Sequence, residues 1–107
     1  MNKTKCAIIG SGNIGTDLML KIVNTSEFLL LNGVIGIDPE SEGLAMAQSL
    51  NIPISSSGLE GFLEMKEYQD TQIFFDATSA GAHQNHHEAI AKDGKQMIDL
   101  TPAAIGP

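Results

Sequence analysis

Five short stretches of this chain gather apolar residues: residues 6–9, 27–37, 52–55, 71–76 and 95–100. Runs this short predict strands, and the continuous apolar character of 27–37 suits a parallel sheet covered by helices on both faces. Between them, apolar residues recur at helical spacing. Over residues 13–24, Ile14, Leu18 and Ile22 form a stripe that Met19 and Val23 widen. A second helix is predicted from Asp38-Pro39 onward, with Leu44, Ala47 and Leu50 turned to the sheet. A short third follows over residues 58 to 64, with Leu59, Phe62 and Leu63 inward and Ser57 and Glu60 at capping-box spacing. The last opens at Gly81 or Ala82, runs to about Lys92 and is stopped by Asp93-Gly94. Pro53 confines the third strand to a sheet edge, and Asn32-Gly33 marks a kink or bulge before the second.

Strand and helix thus alternate along the chain. Right-handed crossovers wind that order into an α/β fold, a Rossmann-like doubly wound parallel sheet three layers deep with strand order 3-2-1-4-5. Its ligand belongs at the switch point between the first and fourth strands. Residues 1–107 read as one domain, long enough to hide roughly 65% of its unfolded surface.

Composition narrows the partners. A formal charge of −7 opposes nucleic-acid phosphates and anionic lipid surfaces. No apolar run approaches the roughly 18 residues of a membrane span, and no signal-peptide pattern opens the chain, so the cytosol is the expected address. The single cysteine, Cys6, lies inside the first strand beside Ala7 and Ile8. It reads as a buried apolar residue with a raised pKa rather than a nucleophile.

The candidate chemistry starts where the first strand meets the first helix, at Gly10-Ser11-Gly12-Asn13-Ile14-Gly15. In such a G-x-G-x-x-G turn the first glycine turns the chain off the strand, the second leaves room for a pyrophosphate, and the third lets the helix approach. The opening turn of the helix then offers unpaired N–H groups and a positive dipole end to an anion. The pattern alone is weak, but a strand precedes it, a helix follows, and Asp38 closes the apolar run 33–37. Asp38 has two compatible readings, a cap for the second helix and, preferred, an acceptor for both adenosine ribose hydroxyls. A carboxylate there repels a 2′-phosphate, which favours NAD over NADP.

The small-residue loop from Ala77 to Ala82, with Thr78, Ser79 and Ala80, ends the fourth strand and is expected to face the glycine turn. His83, His86 and His87 have no recognised zinc spacing, and read as solvent-facing or helix-dipole histidines, with no metal site expected.

Four blocks carry a family likeness. They are residues 7–18 with the glycine turn, Gly36-Ile37-Asp38-Pro39, residues 75–83 (Phe75-Asp76-Ala77-Thr78-Ser79-Ala80-Gly81-Ala82-His83), and residues 98–107, beginning Ile98-Asp99-Leu100-Thr101-Pro102. In this order they resemble the amino-terminal part of acylating acetaldehyde dehydrogenases, along essentially the whole chain. The resemblance implies oxidation of acetaldehyde with NAD and coenzyme A to acetyl-CoA, in bacterial breakdown of aromatic compounds, with a 4-hydroxy-2-oxovalerate aldolase as channelling partner. It implies that Ser11, Gly12, Asn13 and Ile14 hold the pyrophosphate, that Asp38 takes the ribose, and that Thr78, Ser79 and Ala80 border the nicotinamide side.

The family's nucleophilic cysteine and dimer surface belong to a catalytic domain expected beyond residue 107. This chain is therefore expected to hold no catalytic residue and to be inactive alone. Rival readings are a related semialdehyde or acyl-phosphate reductase domain, a non-catalytic NAD(H)-binding or sensing module, and a methyl-donor-binding domain.

Overall fold

The computed structural model describes residues 3–25, 28–78 and 80–100. Its elements are β1 (Thr4–Ile9), α1 (Asn13–Thr25), β2 (Leu29–Ile35), α2 (Glu42–Ser49), β3 (Ile54–Ser55), α3 (Gly58–Leu63), α4 (Lys66–Asp70), β4 (Ile73–Asp76), α5 (Ala80–Ala91) and β5 (Gln96–Asp99). The strands pair in parallel in the order β3-β2-β1-β4-β5. That is the predicted sheet, with β1 central, β3 on an edge, and the topological switch between β1 and β4.

β1 explains the layering. Buried on both faces, it sends Cys6 and Ile8 into a core with Met19 and Ile22 of α1 and Leu44 and Ala47 of α2. Ala7 and Ile9 enter a second core with Leu59, Phe62, Tyr68, Phe74 and Ile90, beneath α3, α4 and α5. Period-two alternation in a strand covered on both sides makes its buried part, residues 6–9, apolar throughout. In the second core Phe62 sets its ring edge-on to Phe74 at 5.9 Å between centroids, a favoured aromatic geometry.

The bulge falls where expected. Cys6 pairs with Leu31 and Ala7 with Gly33, so Asn32 is the extra residue. Its amide nitrogen donates to the Glu67 carbonyl at 3.0 Å and to the Thr71 hydroxyl at 3.1 Å. The bulge thus ties the sheet to α4, a helix the pattern missed because only Tyr68 of its five residues is buried. Tyr68 donates to Asp93 at 2.5 Å. Burial first, and that carboxylate second, push its phenol well above its ordinary value.

Several expected boundaries move. β2 ends at Ile35 rather than running to Ile37, and Phe28 and Leu30 at its start are exposed. α2 begins at Glu42, capped by Ser41, whose hydroxyl accepts from the Leu44 amide at 3.3 Å. Asp38 is therefore not its cap: Pro39 fits a turn, in which Glu40 N–H donates to the Asp38 carboxylate at 2.9 Å. Leu50 lies past the end of α2 and is exposed. Ser57 makes no side-chain capping bond; its amide donates to the Ser55 hydroxyl at 3.3 Å, which in turn donates to the Gly58 carbonyl. On α1 the buried face is Gly15, Met19 and Ile22, leaving Ile14 and Val23 exposed.

Candidate functional site

The glycine turn follows from backbone sterics. Gly10 takes φ +113°, a conformation L side chains rarely adopt, and its N–H donates to the Ile35 carbonyl at 2.7 Å, locking the turn to β2. At Gly15 a Cβ would collide with the Gly10 carbonyl, so α1 can start this close to β1 only with glycine there. Gly12 differs from both. A Cβ on it would meet nothing within 4 Å, so its missing side chain leaves open space in front of the helix start rather than serving the packing.

Gly12 lines a cavity of about 420 Å³ at the carboxyl ends of the strands, within the range of roughly 300 to 1,000 Å³ usual for small-molecule sites. One wall is Ile9 to Gly12 and Ile35 to Asp38; the other is Gly58, Leu59, Thr78 and His86. A neighbouring hollow of about 330 Å³ shares Gly58, Leu59 and His86 and adds Ser57, Glu60, Leu63 and Ala89. The cavity lies across the β1/β4 switch, where open parallel sheets bind ligands.

Thr78 and His86 of the second wall rest on a network that motif reading missed. Asp76, the last residue of β4, is fully buried. One carboxylate oxygen accepts from the Thr78 amide at 2.9 Å and from the Thr78 hydroxyl; the other lies 2.9 Å from Nδ1 of His86. Burial pulls the carboxyl pKa up, but the bonds from His86 and Thr78 outweigh it and hold the group at about 2. Asp76 is thus ionised at neutral pH, and the His86 ring is fixed by its Nδ1. His86 was expected to face solvent or the helix dipole. Instead the ten residues from Asp76 lead over the loop and two turns into α5, which brings His86 back over the strand end.

Of the residues expected at the site, Gly10, Ser11, Gly12, Asp38 and Thr78 line the cavity together. Asn13, Ile14 and Gly15 form the first turn of α1, with Gly15 buried against Gly10. Ala80 opens α5. Ser79, and the block 101–107, lie outside the described residues. Cys6 is fully buried, and burial pushes its thiol up to about 11, which leaves it protonated and inert at neutral pH. Among the described residues no group of His, Cys, Asp and Glu is gathered for a metal ion, and no helix is long and apolar enough to cross a membrane.

A doubly wound sheet with a glycine-turn cavity at its switch point is the architecture of a dinucleotide-binding domain. The pattern of the family described as "Semialdehyde dehydrogenase, NAD binding domain" matches residues 5–104, and the chain belongs to that family. It is 61% identical over all 107 residues to acetaldehyde dehydrogenase 2 of Novosphingobium aromaticivorans and 54% identical to acetaldehyde dehydrogenase 2 of Rhodococcus erythropolis, covering 34% of each. The chain thus spans about a third of the length of these curated relatives. A solved structure of GenD2 from gentamicin A biosynthesis, in complex with NAD, shares the fold, with a TM-score of 0.74 over 92% of this chain and 27% of that one at 15% identity. The residues present fit NAD, the cofactor of the family: the space over Gly12 admits a diphosphate at a helix start, and Asp38 lies on the same cavity.

Proposed function

We propose that this chain is the NAD-binding domain of an acylating acetaldehyde dehydrogenase, which converts acetaldehyde, NAD and coenzyme A to acetyl-CoA and NADH. The observation that carries the reading is the open cavity between Gly12 and Asp38, in a chain so similar throughout to proteins named acetaldehyde dehydrogenase. NAD, when bound, supplies the hydride acceptor.

The chain's own residues do the holding. Gly10 and Gly15 shape the turn; Ser11, Gly12, Asn13 and Ile14 grip the diphosphate through the amides at the start of α1. Asp38, exposed at the cavity rim, accepts from the adenosine ribose hydroxyls and rejects a 2′-phosphate by charge. Thr78, Ser79 and Ala80 border the nicotinamide side. In this reading the attacking cysteine and the subunit interface belong to parts of the whole enzyme outside these 107 residues, since Cys6 is locked in the sheet. The family resemblance extends the proposal to a cytosolic enzyme of aromatic-compound breakdown, with a 4-hydroxy-2-oxovalerate aldolase as partner.

Calorimetric titration tests the cofactor assignment. NAD is expected to bind at least tenfold more tightly than NADP, a difference of about 1.4 kcal/mol, and Asp38→Ala to weaken NAD while narrowing that gap. Equal affinity for the two cofactors in the unaltered chain would remove the role of Asp38.

A further inference from the structure

The chain has six lysines and no arginine, and among the described residues lining the cavity the one side chain able to carry a positive charge is His86. A dinucleotide brings a diphosphate dianion into a site whose own side-chain charges are acidic. Asp76 from β4 touches His86, Asp38 from the segment after β2 lines the same cavity, and Glu60 from α3 lines the neighbouring hollow that His86 shares. Asp99 of β5 lies beside Asp76 in register, and on α5 His87 and Glu88 are exposed.

The ring's orientation decides what it can offer. Nδ1 faces an ionised carboxylate and so carries a hydrogen; in the neutral form of the ring Nε2 then has only a lone pair, and in the protonated form it carries a second N–H. Nε2 has no hydrogen-bond partner among the described residues. A lone pair repels a phosphate oxygen, so only the protonated ring can donate to one.

We propose that His86, seated on Asp76, is a further cofactor-binding residue, donating from a positively charged Nε2–H to the diphosphate, so that dinucleotide binding takes up a proton. This rests on the NAD-binding reading. Asp76 acts as the positioning residue, holding the ring and balancing its charge.

The test is calorimetry of the chain with NAD and with adenosine, which lacks phosphate, at pH 6 and 8.5, in buffers of low and high ionisation enthalpy. The unaltered chain is expected to bind NAD about tenfold more tightly at pH 6, the scale of a charge-assisted hydrogen bond, with proton uptake on binding. His86→Gln should flatten the profile at the weaker level, and His86→Lys should bind NAD tightly at both pH values. Adenosine should not distinguish the three proteins. Tight NAD binding by the unaltered chain with no proton uptake and no pH dependence would overturn the role of His86 alone. So would a loss of adenosine affinity in His86→Gln equal to its loss of NAD affinity, which would put the ring on the base. Failure of the folded chain, checked by circular dichroism, to bind NAD at either pH would overturn this inference together with the NAD-binding reading.

Discussion

The two walls of the cavity are built by different means. On the β1–β2 side the structure is backbone: Gly10 at positive φ, Gly15 against the Gly10 carbonyl, and Gly12 over open space. On the β4–α5 side it is a side-chain network, a buried carboxylate holding Thr78 and His86. A backbone wall is fixed by sterics and indifferent to pH. A network of one acid and one imidazole is fixed by protonation states and answers to pH.

The largest break in this comparison is Gly15→Val. Its side chain would drive into the Gly10 carbonyl and push α1 off β1, costing about 3 kcal/mol or more in urea unfolding. Next is Asp76→Asn, expected to lower stability by about 2 kcal/mol at pH 7, with the sign set by its depressed pKa. The unfolded carboxyl titrates near 3.8 and the folded one near 2. The contribution is therefore complete above 3.8, fades as the pH falls between these values, and is gone below about 2. The gap between wild type and Asp76→Asn, followed by urea unfolding across that window, should close, whereas the Gly15→Val deficit should persist.

Gly12→Val sharpens the contrast within the backbone wall. Because nothing packs against that position, the stability cost should be no more than about 1 kcal/mol, that of a poorer cap on α1. NAD affinity by calorimetry should fall at least tenfold, about 1.4 kcal/mol. The smallest effect is at Cys6, remote from both walls. Its buried thiol should be alkylated at pH 8 far more slowly in the native chain than in urea, and blocking it is not needed for NAD binding.

The backbone wall was legible in the sequence because its information is local. Six consecutive residues specify the turn, and the apolar runs that frame it specify the sheet order. Where reading failed, the deciding contact was distant or the local pattern ambiguous. Asp38-Pro39 fits either a helix start or a turn, and Ser41, three residues on, settled it by capping α2. The α1 stripe was misplaced because Gly15, not a large apolar residue, marks the helix face nearest the sheet. His86 looked like one of three surface histidines. Its pairing depends on where α5 sets down relative to the end of β4, which no spacing within the helix encodes. An acid closing a central strand was the available signal, since a charge at that depth requires a partner.

The most direct measurement is an amide NMR titration of the ¹⁵N-labelled chain with NAD. The shifts expected are those of Ser11, Gly12, Asn13 and Ile14 at the helix start, Asp38 at the rim, and Thr78 and His86 across the cavity. Shifts centred instead on the groove at the amino end of the sheet, around Lys3, Leu30 and Leu50, with the glycine turn unmoved, would contradict dinucleotide binding at the switch point.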